Sequence, residues 1–138
     1  MYRVRSVNTL VICDPEPVAM EGLRSLLESM GGARVVAAET NLEDAAGALA
    51  ELQPDLLLVD KKFGTPALAH LLHKAQSTAA IIVWGASVSE MEALWLFKAG
   101  VSGVVSKTAS LRDLAECIRA VASGGKWLGM CARPAFIH

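Results

Sequence analysis

The chain is expected to fold as a single α/β domain, a doubly wound (βα)5 unit around a five-stranded parallel sheet. Short apolar runs of four or five residues recur along it, separated by stretches with helical spacing. The runs Leu56-Leu57-Leu58-Val59 and Ile81-Ile82-Val83 do not alternate with polar residues, as befits strands covered on both faces. A length of 138 residues suits one domain and leaves no room for a second.

The first strand is expected over residues 8–13, where Leu10-Val11-Ile12-Cys13 stops at Asp14. A helix enters after Pro17, carries Leu23, Leu26, Leu27 and Met30 as its inner stripe, and ends at Gly31-Gly32. The second strand spans 34–39; Thr40 or Asn41 then caps a helix with Leu42, Ala45, Leu49 and Leu52 inward, stopped before Pro54. The third strand, 55–59, ends at Asp60 and is followed by a helix from about Pro66 to Ala75. After a fourth strand over 80–84, Ser87 or Ser89 opens a helix, Glu90 or Glu92 completes a capping box, and Gly100 closes it. The fifth strand, 102–105, precedes Lys107. Ser110 and Asp113 then start the last helix, with Leu111, Leu114, Ile118 and Val121 inward and Gly124-Gly125 as its stop. Residues 1–7 read as an N-terminal extension, and 129–138, with Pro134 and little periodicity, as a linker or flexible tail.

Composition excludes several function classes. Hydrophobic residues make up 53% of the chain, yet no run approaches the roughly 20 residues of a membrane span. That content belongs to a core, and no membrane partner is expected. Met1 to Ser6 lead into neither a long apolar region nor a cleavage site, so the expected location is cytoplasmic. A net charge of −1 provides no field for gripping nucleic acid. Cys13, Cys117 and Cys131 lack metal-ligand spacing, and the first two sit in apolar patterns as buried thiols.

In a doubly wound parallel sheet, ligands bind beyond the carboxyl ends of the strands where the winding reverses. Asp14, Asp60, Gly85 and Lys107 all belong to that edge. Two carboxylates and one ammonium converging there point to phosphoryl or metal chemistry.

The runs Asp14-Pro15-Glu16-Pro17-Val18-Ala19-Met20-Glu21-Gly22-Leu23, Gln53-Pro54-Asp55 through Asp60, and Lys98-Ala99-Gly100-Val101-Ser102-Gly103 with Lys107 carry a family likeness. Over residues 8–128 the chain resembles the receiver domains of two-component response regulators, which have a flavodoxin-like fold. The closing Ala120 to Leu128 is similar to the LuxR/NarL-type transcription factors within that family. The resemblance implies a non-enzymatic signalling module in which Asp60 accepts a phosphoryl group from a histidine kinase. It implies an acidic pocket of Asp14 and Glu16, and phosphoryl contacts from Lys107, Gly85 and Ala86. Magnesium (Mg2+) would be held by Asp14, Asp60 and the backbone carbonyl of Lys62. Gly85 and Val104 would be the switch positions. It further implies a homodimer that reaches DNA only through a separate helix-turn-helix domain.

Four positions depart from the family pattern. Pro15 stands where a second acid is usual, Gly85 where a hydroxyl is, Val104 where an aromatic ring is, and Gly64 where a proline is common. Removing one unit charge ~4 Å from a divalent ion, at an effective dielectric of ~20, forfeits on the order of 8 kcal/mol of gross attraction before desolvation offsets much of it. The metal seat is therefore weakened. The ammonium of Lys62 or Lys61, with that of Lys107, is expected to neutralise Asp14 and Asp60 in the metal's place.

Two rival readings share the architecture. A phospho-aspartyl hydrolase needs a second acid near its nucleophile, and neither Lys61 nor Lys62 supplies one. A small nucleotide-binding module needs a Gly-rich loop after the first strand, where Asp14-Pro15-Glu16-Pro17 would repel an anion. His70 and His73 share a helix face without a third ligand nearby in sequence and read as surface or packing residues. Trp95 and Phe97, beside Leu94 and Leu96, make the fourth helix more broadly apolar than one stripe needs; the excess is either core or a dimer or partner face.

Overall fold

The computed structural model describes residues 7–75 and 77–129. The elements run β1 (Asn8–Cys13), α1 (Pro17–Met30), β2 (Ala33–Glu39), α2 (Leu42–Leu52), β3 (Leu56–Asp60), α3 (Thr65–Ala75), β4 (Ala80–Gly85), α4 (Glu90–Lys98), β5 (Gly103–Ser106), α5 (Leu111–Ala122) and β6 (Trp127–Gly129). A 3-10 turn at Lys61–Phe63 links β3 to α3.

The strands pair in parallel in the order β2-β1-β3-β4-β5-β6. The chain steps outward from β1 to β2, then returns to lay β3 on the other side of β1. The winding thus reverses between β1 and β3, and Asp14 and Asp60 stand at that reversal.

Strand alternation builds two cores. Leu10, Ile12, Leu56, Leu58, Ile82 and Val105 face α1 and α5, meeting Met20, Leu23, Leu27, Leu114, Ile118 and Val121. Val11, Leu57, Val59, Val83 and Val104 face α2, α3 and α4, meeting Ala45, Leu49, Leu68, Leu71, Ala93 and Leu96. Every residue of β3 is fully buried, which is why an unbroken apolar run, Leu56 to Val59, precedes Asp60. Gly103 sits where α5 presses on β5: a Cβ there would lie 3.0 Å from both Cys117 Sγ and Val121 Cγ2.

The start signals resolve as one residue each. Asn41 caps α2, its side chain accepting from the Asp44 N–H. Ser89 and Glu92 form a complete capping box on α4. Ser110 accepts from the Asp113 N–H at α5.

The sheet has six strands rather than the expected five. Trp127-Leu128-Gly129 pairs alongside Gly103-Val104-Val105 as a three-residue edge strand, too short to show a pattern. The folded region therefore reaches Gly129, one residue into the expected tail; Met1–Ser6 and the rest of the tail, Cys131 included, lie outside the described residues. Three leucines assigned to inner stripes, Leu26, Leu52 and Leu111, are exposed. Each flanks its helix's buried stripe, and the inner positions are already filled by Leu23 and Leu27, Ala45 and Leu49, and Leu114 and Ile118. His70 and His73 are exposed on α3, and no metal-holding cluster occurs among the described residues. Cys13 and Cys117 are buried, and burial pushes both thiols up to about 12, so they stay protonated and unreactive near neutral pH. No helix among the described residues is long and apolar enough to cross a membrane.

Candidate functional site

Parallel pairing aligns the carboxyl ends of β1, β3, β4 and β5, and four residues expected at one edge meet there. Asp14, the first residue past β1, and Asp60, the last of β3, are only 1% and 0% exposed. Lys107, just past β5, lies between them: its Nζ is 2.6 Å from Asp60 Oδ2 and 3.3 Å from Asp14 Oδ2. Its backbone N–H donates to the Gly85 carbonyl at 2.7 Å, which holds the start of the loop against β4. The ammonium also stands 4.8 Å from the centre of the Trp84 ring, a cation-π contact that fixes its approach.

The remaining carboxylate oxygens are also engaged. Asp14 Oδ1 accepts from the Glu16 N–H at 2.8 Å, and Asp60 Oδ1 accepts from the Lys62 N–H at 2.7 Å. Every carboxylate oxygen of the pair thus has a donor from the protein.

Protonation follows from that arrangement. Burial pushes the Asp14 carboxyl up; the Glu16 N–H opposes this, the Asp60 carboxylate reinforces it, and the result is raised. Burial also pushes Asp60 up, but the Lys107 ammonium and the Lys62 N–H outweigh it and hold Asp60 below the usual carboxylate range. Burial works against the Lys107 charge, yet the two aspartates hold that ammonium above its ordinary value. The cluster is one ammonium held between two carboxyl groups, with Asp60 shifted toward its charged form and Asp14 toward its neutral one.

Several expectations for individual side chains need correction. Glu16 does not turn into the pocket: its carboxylate pairs with Lys62 Nζ at 2.7 Å on the exposed rim, and that contact lowers the Glu16 carboxyl and raises the Lys62 ammonium. Lys62 therefore offers the pocket its backbone N–H, not its charge. Lys61 does not neutralise the aspartates either, because its Nζ bonds Glu92 Oε1 at 2.8 Å, Glu92 Oε2 at 3.0 Å and the Ser87 carbonyl. Lys107 alone provides the neutralising charge among the described residues. Pro15 starts this: with no carboxylate there and Pro17 opening α1, the turn carries Glu16 outward.

The two switch positions are equally changed. Gly85 is buried, and a Cβ placed on it would lie 2.8 Å from Lys61 Cγ and 3.0 Å from Lys61 Cδ. The stem of Lys61 fills the space a hydroxyl-bearing side chain would need. Ala86 is exposed in the turn beyond. Val104 is wholly buried under α4, paired with Val83 in β4 and Leu128 in β6. Glu92's tie to Lys61 was not foreseen, since its sequence signal, three residues after Ser89, was spent on the capping box.

The apolar surplus of α4 divides as the sequence left open. Leu96 is buried and Phe97 half-buried, whereas Met91, Leu94 and Trp95 are exposed. With Thr65, Pro66 and Ala69 of α3 these last three line a groove of about 680 Å³.

The resemblance implies a magnesium ion at this pocket, but the donors here do not fit such an ion. Magnesium needs near-octahedral oxygen ligands, of which one or two carboxylates are usual. The two aspartates present are occupied by Lys107 and two backbone N–H groups, the third acid faces out, and Pro15 has no side-chain oxygen.

Comparison with known proteins places this chain in a family. The nitrate/nitrite response regulator protein NarP of Escherichia coli is 32% identical over 120 residues, covering 85% of this chain and 56% of the relative. The response regulator GacA of Pseudomonas aeruginosa is 26% identical, covering 86% of this chain and 57% of the relative. The chain thus spans little more than half the length of these relatives. Among solved structures, a LuxR-family two-component response regulator from Aurantimonas sp. SI85-9A1 superposes with a TM-score of 0.81 at 28% identity, covering 88% of this chain and 89% of that one. The family model described as response regulator receiver domain matches residues 10–119, from within β1 to within α5. The relatives it resembles are NarP- and GacA-type and LuxR-family regulators, and the chain belongs to the response regulator receiver domains of two-component signal transduction.

Proposed function

We propose that this receiver works as a phosphorylation-independent signalling module, with Asp60 in the phosphoacceptor place but locked by Lys107. The observation that carries this is the complete engagement of Asp14 and Asp60: one ammonium and two backbone N–H groups satisfy both carboxylates without a metal. Response regulators generally act as signal transducers rather than enzymes, and neither Lys61 nor Lys62 supplies the second acid a phospho-aspartyl hydrolase would need. Output passes through protein contacts. In the longer protein the relatives suggest, these would serve a homodimer and a separate helix-turn-helix domain that holds the DNA. A cytoplasmic location suits that role.

A second reading keeps Asp60 as the acceptor for a histidine kinase. It is favoured by the 2.6 Å Lys107 contact, because the same ammonium could follow a phosphoryl oxygen on Asp60.

Trp84 discriminates between a metal-free and a metal-bound pocket. In a variant with Trp95 and Trp127 replaced by phenylalanine, magnesium entering the site would pull Lys107 from the Trp84 ring and change its emission. The expected result is no saturable change at sub-millimolar magnesium. A saturating change abolished by Asp14→Asn would overturn the metal-free reading.

A further inference from the structure

We propose that Lys61 couples the acceptor aspartate to α4, its stem lying across Gly85 in place of a hydroxyl-bearing side chain and its ammonium gripping Glu92 and the Ser87 carbonyl. This holds whether or not Asp60 ever carries a phosphoryl group, and its test needs no phosphodonor.

The geometry fixes Lys61 at three points. Its backbone follows Asp60 directly and opens the 3-10 turn, whose second N–H binds the Asp60 carboxylate. Its Cγ and Cδ pass so close to Gly85 that a Cβ there would stand 2.8 and 3.0 Å away. Its Nζ reaches both Glu92 oxygens, at 2.8 and 3.0 Å, and the Ser87 carbonyl. Glu92 is itself tied into the first turn of α4, accepting from the Ser89 N–H at 2.9 Å and donating its own N–H to Ser89 Oγ at 3.1 Å. The Lys61 contact and the Ser89 N–H hold the Glu92 carboxyl low, which favours its charged form.

A displacement of the turn after Asp60 must therefore move Lys61, and Lys61 cannot move without pulling the first turn of α4 or breaking three polar contacts. An ordinary surface ion pair is worth little, because two flexible side chains must be ordered to form it. Lys61 differs in having its stem confined against buried Gly85, which restricts it before the charge contact is made. Lys61 also joins the two walls of the apolar groove: α3 begins at Thr65, just beyond the turn, and α4 carries Met91, Leu94 and Trp95. Glycine at 85 is thus a requirement of the Lys61 path, and this departure from the family pattern and the lysine after Asp60 form one device.

The test is a double-mutant comparison read by amide NMR and thermal unfolding of the full 138-residue chain. Asp60→Asn should shift the amide resonances of Ser87 to Glu92. In a Lys61→Met background, which keeps the stem but removes the ammonium, those shifts should shrink at least about twofold, and Lys61→Arg should restore them. Equal shifts with lysine and methionine would overturn the coupling. In the second arm, Gly85→Thr should lower the melting temperature by about 4–8 °C beside Lys61 and by much less beside Lys61→Ala. An equal loss in both backgrounds would show that Lys61 does not occupy the space over Gly85, and would overturn the proposal.

Discussion

Lys107→Met should destabilise the fold by about 3 kcal/mol at neutral pH, because it strands two buried carboxylates without their cation. Methionine keeps most of the stem and can still rest on the Trp84 ring, so the loss reports the charge rather than the packing. Asp14 and Asp60 would then face each other in a site shielded from water, and one of them must take a proton or water must enter. The pH dependence carries a definite sign. In the natural chain Asp60 lies low, so its contribution is present above the ordinary carboxylate value and is lost as pH falls through its own lower one. Lys107 lies high, so its contribution is present below its ordinary value of ~10.4 and is lost as pH rises past its folded one. Asp14, held high, has the opposite sign to Asp60 and offsets part of the acid loss. In the variant both carboxyls are raised, so its deficit should shrink as pH falls from ~7 to ~5. Urea unfolding at the two pH values measures this. A deficit under about 1 kcal/mol at neutral pH, or one independent of pH, would mean that Lys107 does not neutralise the pair.

Pro15→Asp should convert the pocket into a magnesium site. The added carboxylate restores on the order of 8 kcal/mol of gross attraction at ~4 Å; if only a quarter survives desolvation and competition with Lys107, affinity rises roughly thirtyfold. The substitution also frees the turn before α1, since position 15 is exposed and its ring packs into no core. The single-tryptophan Trp84 variant again serves as reporter, now with a saturating emission change as metal enters and Lys107 moves away. Unchanged metal affinity would show that the missing acid is not what keeps the site metal-free.

Most of the fold was legible because its determinants are local. Unbroken apolar runs marked β3 and β4, Ser87 or Ser89 with a glutamate three residues on and Ser110 with Asp113 marked helix starts, and glycines marked their ends. Asp14, Asp60 and Lys107 were found because parallel topology alone brings strand ends together. The path of long charged side chains was not legible. Lys62 was expected over the acceptor and instead pairs with Glu16; Lys61 crosses to α4 because Gly85 leaves it room. Such paths depend on vacancies left by other residues, which no spacing rule records. The sixth strand was missed for a related reason: three residues at a sheet edge are held by their neighbour, β5, rather than by any pattern of their own.

The most direct test of a pocket locked by Lys107 is acetyl phosphate labelling followed by intact-mass measurement across a series of magnesium concentrations. The locked pocket predicts no added phosphoryl group at any concentration, with Pro15→Asp as the variant in which labelling could first appear. A magnesium-dependent adduct on the natural chain, lost in Asp60→Asn, would contradict it.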